Sequence, residues 1–159
     1  MKLTKIETPP RTRIDTTVGT RVFAGATMIY ADTGWRDISG NIQSEWTGTA
    51  KIKRDMDRVS LMVDVRPVDS LVGSARNIRR RLLQLPLGFY STGHLSYKGR
   101  GEGDQNGVRI PIDMGYAINM LDIRASTQDL GDWTGSPLMA SYTFRTDSQW
   151  PTSLPGAPL

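Results

Sequence analysis

The 159-residue chain has no cysteine, one histidine, three phenylalanines and no long apolar run. Without cysteine there is no disulfide scaffold, thiolate zinc site, iron–sulfur centre or thiol nucleophile, although the compartment stays open because many exported proteins lack disulfides. A single imidazole, His94, rules out an imidazole-rich metal site and leaves any Ser-His-Asp arrangement only one ring to use. No stretch approaches the roughly 18 apolar residues of a spanning helix. Met1 to Pro10 carries Lys2, Lys5 and Glu7 where a signal peptide would carry an apolar core. The chain is therefore expected to be soluble and unprocessed, without membrane insertion. It is also expected to be a non-enzyme without a cofactor.

Hydrophobic residues make up 38% of the sequence, and 16 glycines and 9 prolines punctuate it. A chain of this length buries about two thirds of the surface its unfolded form exposes, which supports one self-sufficient core. Twenty Lys and Arg against 16 Asp and Glu give a net charge of +4, which favours acidic partners without specifying one.

Met1 to Thr20 shows neither a period-2 nor a 3.6-residue apolar pattern and reads as an extended arm. From Arg21 to Tyr30 apolar residues flank Gly25, as in a strand interrupted by a bulge or a close backbone approach. Ala31 to Gly40 reads as a loop. Trp46, Ala50 and Ile52 then share one parity, Asp55-Met56-Asp57 reads as a turn, and Val59, Leu61, Val63 and Val65 alternate with polar residues as the natural hairpin partner.

Ser70 to Leu85 is ambiguous: Leu71, Ala75, Ile78 and Leu82 fall at helical spacing, while Ile78 to Leu83 suits an edge strand equally. A short helix or loop is the expectation there. Gly93 to Lys98 is a strand candidate, Gly99 to Gly107 reads as a solvated hairpin loop, and two strands are expected around a turn at Asp113-Met114-Gly115. Leu138, Ala140, Tyr142 and Phe144 mark a last strand before a proline-rich tail. Short strands at even spacing with turn chemistry between them predict an all-β fold, an antiparallel β-sandwich of jelly-roll or small-barrel type. The organisation expected is an arm over residues 1–18 and one sandwich domain over 19–159.

Candidate sites are few. Gly99-Arg100-Gly101-Glu102-Gly103 lacks the flanking strand and helix of a phosphate loop, and Asp55, Asp57, Asp64 and Asp69 lack calcium-loop spacing, so no metal or cofactor site is expected. Arg76, Arg79, Arg80 and Arg81 form the sharpest charge cluster, and arginine's planar fork suits phosphate or carboxylate. No aromatic residue interrupts that cluster to stack on bases, so a salt-bridged protein contact is expected there rather than nucleic acid. Lys2, Lys5, Arg11 and Arg13 make the arm a second candidate for partner binding, since apolar-poor segments gain order by adding to a partner's sheet edge or groove. Trp46 matches the core parity, whereas Trp35, Trp133 and Trp150 could be packing plugs or contact residues.

Four segments, in order, carry a resemblance: Asp32-Thr33-Gly34-Trp35-Arg36-Asp37-Ile38-Ser39; Trp46-Thr47-Gly48 leading into Lys51 to Arg54; Leu85-Pro86-Leu87-Gly88-Phe89; and Trp150-Pro151-Thr152-Ser153-Leu154-Pro155-Gly156. The chain from about Gly19 to Ala157 thereby resembles the distal domain of minor tail proteins from phages of actinobacteria. That resemblance implies a β-rich virion module, commonly a homotrimer, that sits among other virion proteins and contacts the host envelope. It implies no catalytic residues. In that family the module follows a long stem, while here only the arm precedes it, which makes a capsid decoration or head-fibre protein the nearest alternative. From other classes, a carbohydrate-binding module that reads host surface glycan and a glycan hydrolase are the competing readings.

Overall fold

The computed structural model describes residues 11–68, 78–90, 98–105, 108–117, 120–125 and 137–159, with side-chain surroundings for 11–68, 81–90 and 137–159. Among them the fold is all-β and antiparallel, as the sequence predicts, with one 3-10 turn at Ser39–Asn41. The strands are β1 (Thr12–Asp15), β2 (Thr20–Ala24), β3 (Thr27–Asp32), β4 (Arg36–Asp37), β5 (Trp46–Asp55), β6 (Arg58–Pro67), β7 (Ile78–Gln84), β8 (Lys98–Gln105), β9 (Val108–Ala117), β10 (Met120–Ala125), β11 (Leu138–Arg145) and β12 (Ala157–Pro158). They form one curled sheet in the order β1-β2-β3-β5-β6-β11-β8-β9-β10-β7, with β4 and β12 appended to β5.

The curl is a half-barrel whose far strand returns to the segment before β5. Gln43 donates its backbone N–H to the Leu82 carbonyl at 2.9 Å, the Asn41 side-chain amide donates to the Gln84 carbonyl at 2.9 Å, and the Trp46 indole donates to the Arg81 carbonyl at 3.0 Å.

The core is built where period-2 patterning is cleanest. Trp46, Ala50 and Ile52 of β5, Val59, Leu61, Val63 and Val65 of β6, and Leu138, Tyr142 and Phe144 of β11 all point inward and are buried. Their neighbours Thr49, Lys51, Met62, Asp64 and Met139 are exposed on the other face. Burying each such aliphatic side chain contributes about 1.5–3 kcal/mol, so these three strands fix the register of the hairpin and its partner. Leu82, Leu83, Leu85 and Phe89 cover the core from the far side of the curl.

The ends of the elements depart from the sequence reading in ways with identifiable causes. Gly25, with φ of 63°, lies in the turn that joins β2 to β3, not inside one strand. The loop expected over Ala31 to Gly40 contains β4. The helix or loop expected over Ser70 to Leu85 is corrected over Ile78–Gln84, which is β7; residues 69–77 lie outside the described ones. In β7 Leu83 pairs with Leu121 and Arg81 with Asp122, so Leu82 is an extra residue. Such a bulge lets Leu82 and Leu83 both face the core, which erases the alternation that would have marked a strand.

The glycine-rich segment expected as a hairpin loop is strand β8, paired along its length from Lys98↔Gly115 to Gln105↔Val108. Backbone ladders need no side chain, so glycine weakens a strand without forbidding it. The turn expected at Asp113-Met114-Gly115 is likewise interior to β9, where Gly115 pairs with both Lys98 and Asp122. Of the strand candidate at Gly93 to Lys98, only Lys98 is described. Part of the expected arm is also in the sheet, because Thr12–Asp15 pairs with β2 as β1.

Gly48 gives the fold a sharp test. Its φ is +142°, and a Cβ there would lie 2.1 Å from the Asp64 carbonyl oxygen and 2.7 Å from the Val65 Cα on the paired strand. Neither obstacle is a movable side chain. Gly48→Ala should therefore cost about 2–4 kcal/mol, read from urea or thermal unfolding; a loss below about 0.5 kcal/mol would mean that β5 and β6 do not approach this closely.

Candidate functional site

Three of the four resemblance segments meet at one buried cation. Arg54 continues the inward parity of Trp46, Ala50 and Ile52, so its guanidinium enters the core side of β5 and the residue is 5% exposed. There it donates to the carbonyls of Met56 at 2.7 Å, Ser148 at 2.8 Å, Gln149 at 2.9 Å and Gly88. The Trp150 ring stacks against it, with the guanidinium carbon 5.1 Å from the ring centroid. One planar fork thus joins the β5–β6 turn, the Pro86–Phe89 bend and the C-terminal segment. Burial lowers the Arg54 pKa, with Asp57 acting in the other direction; an arginine nevertheless keeps its charge.

The remaining motif residues complete the same latch. Thr33 is buried and exchanges hydrogen bonds with the Arg54 backbone, donating its N–H to the Arg54 carbonyl at 2.9 Å and accepting the Arg54 N–H on Oγ1 at 2.8 Å. Arg36 donates from Nε to the Pro155 carbonyl at 2.9 Å and from Nη2 to the Gly156 carbonyl at 2.6 Å, beside the β4–β12 pairing. The Trp150 indole donates to the Val18 carbonyl at 3.0 Å. Of the tryptophans left open by the sequence, Trp150 is therefore a packing plug and Trp35 is half-buried, while Trp133 lies outside the described residues. Arg54, Arg36, Thr33 and Trp150 thus all bond backbone carbonyl or N–H groups.

The predicted partner-binding residues that fall in described strands lie on strands that do not pair with each other. Arg11 and Arg13 belong to the β1 end of the strand order and Arg79, Arg80 and Arg81 to β7 at the other end. Arg81 is exposed. Lys2, Lys5 and Arg76 lie outside the described residues, as does His94. Sequence reasoning passed over Arg54 as a separate feature, although its parity was the available signal: a charged residue in line with three core positions must be either paired inside or misassigned.

Strands β1, β2 and β3 form a ribbon beside the core. They contribute nothing to the central core cluster, and β3 joins β5 only at Asp32↔Asp55. One face of this ribbon carries the Asp15–Arg21 ion pair at 2.6 Å and Arg13 over the Phe23 ring at 4.7 Å. The other carries Ile14, Val22 and Tyr30 in cross-strand register, with Ile14 67% exposed. At its root Lys53 bridges Asp32 at 2.8 Å, while Asp32 accepts the Gly34 N–H at 2.7 Å.

Acidic groups here are tuned downward. The Thr17 backbone N–H and hydroxyl, then Arg21 and Arg13, hold Asp15 below the usual carboxylate range, and the Ser39 hydroxyl and N–H do the same for Asp37. For Asp32, burial pushes upward and is outweighed by Lys53, the Gly34 N–H and the Tyr30 hydroxyl. Lys53 is raised, chiefly by its hydrogen bond to Asp32. No family model, curated protein or solved structure matches the chain.

Two predictions follow from the latch and from the Asp32–Lys53 pair. Arg54→Met should cost about 3–5 kcal/mol, because several buried carbonyls lose their donor at once. Limited proteolysis should then cut the segment from Ser148 onward before the rest unfolds, and a variant with native stability and a protected tail would refute the latch. Asp32 stabilises the fold above its unfolded pKa of about 3.9 and loses that contribution as pH falls through the lowered folded value; Lys53 contributes fully below about 10.4 and loses it as pH rises through its raised value. Melting temperature should accordingly fall below about pH 4 and above about pH 10, and Lys53→Met should flatten both limbs.

Proposed function

We propose that this chain is a phage virion structural protein, a surface module of the tail or tail fibre whose work is to present a rigid β-scaffold to neighbouring virion proteins or the host envelope. The support is the resemblance carried by the four ordered segments. The single observation that strengthens it is that the two arginines of those segments hold the scaffold itself: Arg54 grips three stretches of backbone, and Arg36 clamps the terminal strand. A motif set spent on fastening suits a module selected for standing still. A capsid position remains the alternative site on the particle.

The test is direct. Peptides of this chain should be found in purified particles at a fixed copy number, and a tagged chain should be located on tail or capsid by electron microscopy of whole virions. Absence from particles after density-gradient purification would overturn the reading.

A further inference from the structure

We propose that the outer edge of β1, unpaired among the described residues, pairs antiparallel with the β1 edge of a second copy of this chain, centred on Ile14, to give a twofold dimer with a six-stranded ribbon. This goes beyond the virion reading and does not depend on it.

The two ends of the sheet are treated differently. At the β7 end, the Ile42↔Leu83 bridge and the Gln43 N–H stop the edge with the protein's own backbone. At the β1 end, no strand among the described residues pairs with the outer edge. Gly25 donates its N–H to the Arg11 carbonyl, which makes Arg11 and, by alternation, Arg13 and Asp15 the residues bonded toward β2. Thr12 and Ile14 therefore turn their N–H and C=O groups outward. An open edge of this kind is a template for another strand unless charge or a bulge blunts it.

A second copy fits this edge by its charges. Antiparallel pairing of Ile14 with Ile14 of the partner subunit sets each Arg13 opposite an Asp15, each Thr12 opposite a Thr16 and each Arg11 opposite a Thr17, so no like charges meet and two Arg–Asp pairs form across the axis. A one-residue slip would lose that match and would turn the bonded groups away. The apolar residues agree, because Ile14, Val22 and Tyr30 share one face and Ile14 is the outermost of them. Pairing at Ile14 extends their stripe through the twofold axis into the matching stripe of the other copy, converting two small exposed patches into one continuous sheet face. Such a contact is isologous and closes at two copies, which separates it from the threefold ring that the resemblance implies.

Solution mass decides the matter, with the full chain. Sedimentation equilibrium should give twice the 17.6 kDa chain mass. Ile14→Lys should give a folded monomer whose melting temperature, unlike that of the wild-type chain, does not rise with protein concentration. Arg13→Asp sets Asp against Asp and Asp15→Arg sets Arg against Arg, and each alone should weaken dimerisation about tenfold or more. Mixed one to one, the two variants should recover a heterodimer, because every contact between them is again Arg against Asp. A monomeric wild-type chain overturns the proposal, as does a trimer or a dimer whose mass is indifferent to Ile14→Lys. Failure of two folded charge variants to recover association on mixing also overturns it. Absence from particles would sink the virion reading and leave this result untouched.

Discussion

The structure depends on a guanidinium that has nowhere else to go. Strict alternation along β5 carries Arg54 into the interior behind Trp46, Ala50 and Ile52, and a charge taken out of water costs several kcal/mol unless hydrogen bonds replace its hydration. The chain answers by bending three separate segments until their carbonyls reach that one plane. The turn after β5, the Pro86–Phe89 bend and the tail from Ser148 are thus placed by a single electrostatic requirement. Lysine could not substitute on the same terms, since a point-like ammonium with three donors lacks the flat, diverging geometry that four carbonyls on different sides demand. Gly88 also seats closely on Pro151, where a Cβ added to it would lie 3.0 Å from the Pro151 Cβ.

How much of this can be read in the sequence depends on whether local pattern and tertiary role coincide. For β5, β6 and β11 they do, because one face is buried and the other wet, so period-2 alternation survives intact. For β7 they part at Leu82, where a bulge sends two successive leucines inward and leaves a spacing that mimics a helix. For β8 and β9 the glycines read as turns, while the ladder on both sides of β9 overrides that preference. The sequence between Gln105 and Val108 is Asn-Gly, the two-residue hairpin signal that would have identified β8 and β9 as partners.

The latch shows the same division. The inward placement of Arg54 is legible from parity alone, but its acceptors are not, since a carbonyl carries no sequence signature. The grip of Arg36 on Pro155 and Gly156 spans 119 and 120 positions, and only the folded chain brings those ends together. The basic residues of β1 and β7 illustrate the converse: similar composition in sequence, opposite ends of the strand order.

Because Arg54 and Arg36 hold backbone oxygens, a residue can supply one of those oxygens without its side chain taking part. Gln149 offers the clamp only its carbonyl, so any residue able to follow the same path could stand there. The consequence is an asymmetry in how this protein can diverge. The gripping arginines, the buried Thr33 and the close-packed glycines are fixed points, whereas stretches they grip can drift in sequence while keeping their course. Lineages descended from such a chain would keep the skeleton of the four segments and exchange the letters between, and a library that randomised Gln149 and the exposed Leu87 would sample new surface chemistry on an unchanged frame.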